Sequence, residues 1–124
     1  MKKTIFLLAM ITAIASCGSN DNKMATNENK SADPSTNPDY QKGLALVSKS
    51  DCFTCHKVAD ASTGPAYTAV AKRYAGKPGI EDTLALKIMK GGSGNWGTVP
   101  MVGHPQISED DAKAMAKYVL TLNQ

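Results

Sequence analysis

Apolar and polar positions divide the chain into stretches of different character. Over residues 38–124 apolar side chains recur at three- and four-residue spacing, the period of one face of a helix. Tyr40, Leu44 and Val47 make one such stripe. Asn37 can cap it, with Pro38 at the first helical position, where the missing N–H costs nothing. Pro65 opens a second predicted helix with Tyr67, Val70 and Tyr74 on one face, ended by Gly76. A third is expected from about Ile80 to Lys90. Glu81 and Asp82 in its first turn and Lys87 and Lys90 in its last suit the helix dipole, and Gly91-Gly92 stops it. The last helix has the fullest signature. Ser108 is its cap, Asp111 occupies the capping-box position, and Ile107 is placed as a staple against Ala112. Ala112, Met115, Ala116, Val119 and Leu120 form its buried stripe. Residues 93–106 are rich in Gly and Pro and read as an irregular loop. No alternating segment of strand length competes, so the domain is predicted to be all-α.

The N-terminal third follows other rules. Residues 1–16 begin with Lys2 and Lys3, continue through the apolar run Ile5-Phe6-Leu7-Leu8-Ala9-Met10-Ile11 and end in small residues, the layout of a secretory signal peptide. A membrane span needs about 20 apolar residues, more than this run supplies. Ile14-Ala15-Ser16-Cys17 resembles the bacterial lipoprotein signal, which implies that Cys17 becomes the first mature residue and carries lipid. The alternative is a secreted protein cleaved elsewhere, with Cys17 left as a free thiol, a liability in an oxidising compartment. Residues 18–37 are Asn, Ser, Asp, Lys, Thr and Pro with almost nothing apolar, and so should form a disordered tether. About 20 flexible residues reach roughly 25 Å. The expected organisation is therefore a signal peptide over residues 1–16, a lipidated cysteine and tether over 17–37, and a folded domain over 38–124.

The formal charge of +3 misleads about the mature protein. Removing Lys2 and Lys3 from the 14 basic residues leaves 12 against 11 acidic ones, which gives no ground for nucleic-acid binding. The chain has three cysteines, and apart from Cys17 they are Cys52 and Cys55, two intervening residues apart. Such a pair can form a redox disulfide, bind metal or accept haem, and the adjacent His56 discriminates among these. Two thiols at this spacing can reach the two vinyl groups on one edge of a porphyrin, and the imidazole immediately after them then falls under the iron. A thioredoxin-like site would need a βαβ context, which the pattern lacks. Zinc would need four ligands, and only His56 and His104 could join the cysteines. A helical domain of under ~90 residues with a long Gly-rich loop should also have a thin core, which a flat apolar cofactor would fill.

A sixth ligand must come from elsewhere in the chain. Met89, Met101, Met115 and His104 carry suitable donors. Met89 and Met115 sit on predicted helices where packing explains them. Met101 lies between Pro100 and Val102, where a stiff backbone can hold a thioether, so Met101 is favoured and His104 is its main competitor.

Cys52-Cys55-His56, Gly64-Pro65-Ala66-Tyr67, Asn95-Trp96-Gly97 and Val99-Pro100-Met101, in that order, resemble class I cytochrome c of the bacterial c551/c552 type over essentially the whole mature domain. The resemblance implies a small fold of four to five helices around one haem c, covalently bound through Cys52 and Cys55. It implies His56 and Met101 as the iron ligands, Pro65 as carbonyl acceptor for the second ring N–H of His56, and Trp96 as a contact to a haem propionate. It also implies that Gly43 lets the first helix cross the last beside Tyr118. His104, just after Met101, departs from the family pattern. The function so implied is that of a non-enzymatic, monomeric single-electron carrier between redox proteins, lipid-anchored and facing the periplasm or exterior. Its tether suits a redox subunit of a membrane complex. The rival from another class is a haem enzyme or ligand sensor with a displaceable sixth ligand. Lys57, Lys72, Arg73, Lys77, Lys87 and Lys90 outnumber Asp60, Glu81 and Asp82 in mid-chain and either ring the haem edge for an acidic partner or form a solvated surface.

Overall fold

The structure is a computed structural model that describes residues 33–123, so the expected signal peptide, Cys17 and most of the tether lie outside the described residues. Asn37 caps α1 (Pro38–Lys49) by accepting the Asp39 N–H at 2.8 Å, with Pro38 in the first turn. Two shorter helices follow, α2 (Tyr67–Tyr74) and α3 (Ile80–Lys90). Ser108 caps α4 (Glu109–Thr121) by accepting the Asp111 N–H at 3.2 Å. Three acidic residues then lie in the first turn of α4, at the positive end of its dipole.

α4 packs against each of the other three helices. Its crossing with α1 is the tightest approach. Gly43 is buried there, and a Cβ on it would fall on the Ala114 carbonyl oxygen and the Tyr118 Cβ. Removing the side chain at one position thus lets two helix backbones meet, and Tyr118, only 1% exposed, is clamped between them. The Tyr118 ring sets its edge against Tyr40 at 5.1 Å and Tyr67 at 6.1 Å between centroids. Val47, Val70, Ala71, Met115, Val119 and Leu122 complete this core, each fully buried aliphatic side chain contributing about 1.5–3 kcal/mol. Surface pairs mark the outer seams: Lys113 reaches Asp82 on α3 at 3.0 Å, and Lys117 reaches Asp39 on α1 at 3.4 Å.

Three features differ from the sequence expectation. Pro65 does not open α2. Ala66 is extended, and the Tyr67 and Thr68 N–H groups donate to the Lys57 and Val58 carbonyls, so the helix starts two residues late and the Pro65 carbonyl is left outside its hydrogen bonding. The Gly/Pro stretch contains a small antiparallel hairpin, β1 (Gly92–Gly94) paired with β2 (Gly97–Met101), added to the four α-helices. Gly92, Gly94 and Gly97 have φ of 114°, 99° and 111°, backbone that glycine enters freely, so this ribbon forms without any alternating apolar pattern. On α4, Leu120 is only half-buried while Ala114 and Tyr118 are buried, because the helix has neighbours on three sides rather than one.

Gly43→Ala should lower stability by roughly 1–3 kcal/mol through overpacking, despite the gain in helix propensity. Thermal or chemical denaturation checks it, and an unchanged midpoint would mean that α1 and α4 can separate at no cost.

Candidate functional site

After α1 the chain makes a single 3-10 turn over Asp51–Thr54, in which the Cys55 and His56 N–H groups both donate to the Cys52 carbonyl at 3.2 and 3.0 Å. In a 3-10 turn, side chains three residues apart eclipse one another. Two intervening residues between cysteines therefore put both thiols on one side, with His56 directly beyond them. Cys52 is half-buried and Cys55 exposed, and neither is in a disulfide. Desolvation, and then the neighbouring Asp51 charge, push the Cys52 thiol up from its ordinary value.

His56 is confined on several sides. Its Nδ1 lies 2.8 Å from the Pro65 carbonyl oxygen, which can only accept, so Nδ1 carries the proton and Nε2 presents a lone pair. Tyr67 stacks on the ring at 5.2 Å with an interplanar angle of 14°. Burial pushes the Tyr67 hydroxyl well above its usual range, so it stays protonated beside the site. Gly64 closes the cradle, since a Cβ there would lie 2.5 Å from His56 Cε1. The bonds that shape this loop are local: Gly64 N–H to Cys55 O at 2.8 Å and Ser62 N–H to Gly64 O at 3.0 Å.

Cys52, Cys55, His56, Pro65, Trp96 and Met101 all line a single cleft of about 520 Å³, so the structure brings together every site residue expected from sequence. Met101 ends β2 and is half-buried. Its competitors are placed differently. Met89 does not line the cleft, and Met115 does, but it is 2% exposed and belongs to the packed core. His104 borders the cleft, but its Nε2 is 2.8 Å from Asp51 Oδ1 and its Nδ1 is buried without a partner, so neither nitrogen opens onto the cavity. Of the lysine-rich set, Lys87 lines the cleft, and Lys77 lies 5.0 Å from the Tyr74 ring centre.

Sequence reasoning missed the partners that hold these residues. Arg73, on α2, lays its guanidinium 4.6 Å from the Trp96 ring centre and donates to the Asn95 carbonyl at 2.7 Å, pinning the tip of a glycine-rich hairpin. Nothing in the spacing of Arg73 and Trp96 signals that contact. Asp51 is the other omission. Its hydrogen bond to His104, and then the coulombic attraction of that ring, hold its carboxyl below the usual carboxylate range. Adjacency to Cys52 was the available clue.

The donor set fits a covalently held haem: two unbridged thiols on one side of a turn, an imidazole whose Nδ1–H is held by a carbonyl so that Nε2 is left for a metal, and a thioether on the same cleft. Comparison with known proteins agrees. The cytochrome c family model matches residues 40–123. Cytochrome c-551 of Azotobacter vinelandii is 46% identical over 81 residues, covering 65% of this chain and 98% of the relative. Cytochrome c-552 of Hydrogenobacter thermophilus is 45% identical over 78 residues, 62% of this chain and 78% of that protein. The crystal structure of Nitrosomonas europaea cytochrome c552 superposes with a TM-score of 0.62 at 41% identity, over 64% of this chain and 99% of the other.

Gly64→Ala should push the His56 ring off the Pro65 carbonyl. The expected result is a several-fold lower yield of haem-loaded protein and a displaced Nδ1–H proton resonance. A native yield and resonance would show that the glycine does not confine the ring.

Proposed function

This chain belongs to the cytochrome c family, carrying one haem c attached through Cys52 and Cys55, and on that premise we propose that it is a single-electron carrier between redox proteins outside the cytoplasm. The observation that carries the reading is the placement of the His56 imidazole and the Met101 thioether on one cleft. The bound haem supplies a one-electron iron couple. His56 would hold the iron through Nε2, and Pro65 fixes its tautomer and orientation by accepting from Nδ1. Met101 would hold the iron through its thioether, a weak neutral donor that favours reduced iron and raises the potential. Trp96, which lines the cleft and is braced by Arg73, would donate its indole N–H to a haem propionate. Were His56 and Met101 both to hold the iron, a substrate or gas would have no ready coordination site, which separates this reading from a haem enzyme or sensor. Fixed ligands also keep the structural change between oxidation states small.

Met101→Ala is expected to abolish the weak red-edge sulfur-to-iron band and open the iron to carbon monoxide. It should also lower the potential by on the order of 0.1 V, within the roughly 0.8 V range that axial ligands span. An unchanged spectrum would refute the ligand assignment, and a native protein that already binds carbon monoxide would favour the sensor or enzyme class.

The N-terminal sequence supports a lipid anchor at Cys17, with the polar segment behind it as a tether that keeps the domain close to membrane-bound partners. Cys17→Ser should move the protein from the membrane to the soluble fraction with its visible spectrum intact. Equal membrane association of both forms would exclude the anchor.

A further inference from the structure

Resting on Met101 as the second axial ligand, we infer that Asp51 and His104 form a positioning tie, which fastens the Met101-bearing segment to the cysteine-bearing turn and slows departure of the thioether. Asp51 directly precedes Cys52, and His104 lies three residues beyond Met101. The contact of 2.8 Å joins positions 53 residues apart in sequence. Among the described residues it is the side-chain hydrogen bond that links these two segments, since His56 bonds within its own loop and Arg73 bonds to the hairpin tip.

The chain around Met101 is otherwise held by backbone contacts to Gly91 and Gly92, where a Cβ on Gly91 would fall on the Met101 carbonyl oxygen. β1 and β2 are a short, largely exposed ribbon of glycine-rich sequence. Beyond β2 the backbone leans on the end of α3: Gly103 is so close that a Cβ would lie 2.7 Å from the Lys90 carbonyl carbon, and the His104 N–H donates to the Ile88 carbonyl at 3.0 Å. These contacts seat the segment on α3. They do nothing to couple it to the turn that carries Cys52, and the His104 side chain supplies that coupling.

The ring is committed to this use. A carboxylate only accepts, so His104 Nε2 carries the proton and donates it to Asp51. Nδ1 is left buried with no partner, a cost that an apolar side chain at position 104 would avoid. With its side chain 14% exposed, His104 is also far less screened than the ordinary surface ion pair, although Asp51 at 77% faces water. Hydrogen bonding from His104 keeps the Asp51 carboxyl ionised to lower pH than a free aspartate, so the acceptor persists throughout the neutral range. A thioether is a weak ligand, and its release requires the loop to swing. Breaking the Asp51–His104 contact comes before that swing.

The test uses the full-length haem-loaded ferric protein, with imidazole as an external ligand that displaces the thioether and removes the sulfur-to-iron band. Asp51→Ala and His104→Phe should each accelerate displacement by roughly threefold or more. Asp51→Asn keeps an acceptor oxygen and should fall between Asp51→Ala and the native rate. In the His104→Phe background, Asp51→Ala should add nothing. Lys117→Ala breaks the Asp39 pair between α1 and α4, and should leave the imidazole rate at its native value. Native rates in Asp51→Ala, or an equal acceleration in Lys117→Ala, would overturn the tie. A native protein lacking the sulfur band would overturn the Met101 reading and the tie with it.

Discussion

The close approach of α1 and α4 at Gly43 sets the frame on which the site is built. Two helices meeting backbone to side-chain root leave Tyr118 no alternative position. Tyr118 then fixes Tyr67 through an edge contact, and Tyr67 stacks on His56. The imidazole is thus at the end of a chain of ring contacts that begins at Gly43, on the helix before it. Close packing makes this chain stiff, since interiors at crystal-like density transmit displacement rather than absorb it. A shift of α1 along α4 would therefore be felt at the site, although α1 contributes no candidate ligand.

Much of this was legible in the sequence because it is local. The Asn37 and Ser108 caps, the acidic first turn of α3 and the stop at Gly91 each depend on a few neighbouring residues. The spacing of Cys52, Cys55 and His56 is also a local fact, completed by one turn of 3-10 helix. The start of α2 was misread because Pro at a first helical position is a valid local signal, here overridden by backbone bonds to Lys57 and Val58. The hairpin escaped because its strands are made possible by glycine conformation and carry no apolar alternation. Arg73 on Trp96 and Asp51 on His104 were invisible for a different reason. They join residues 23 and 53 positions apart, and single charged side chains carry no periodicity that would reveal a distant partner.

The two sides of the site are held in physically different ways. His56 is fixed by bonds among residues 55–68, inside one loop, and by a core aromatic. Met101 ends an exposed ribbon whose glycines offer many conformations, and its placement relies on contacts with α3 and on charged side chains reaching in from elsewhere. For an electron carrier this asymmetry has a consequence. The imidazole side should keep its geometry whichever oxidation state the iron holds, because local hydrogen bonds and packing over-determine it. On the proposed ligation by Met101, the thioether would bond more strongly to reduced than to oxidised iron, so any loosening would concentrate on the Met101 side and in the oxidised form. Under that proposal, side-chain ties that remove loop freedom would act on the side where the metal bond is weakest, without touching the ligand atoms themselves.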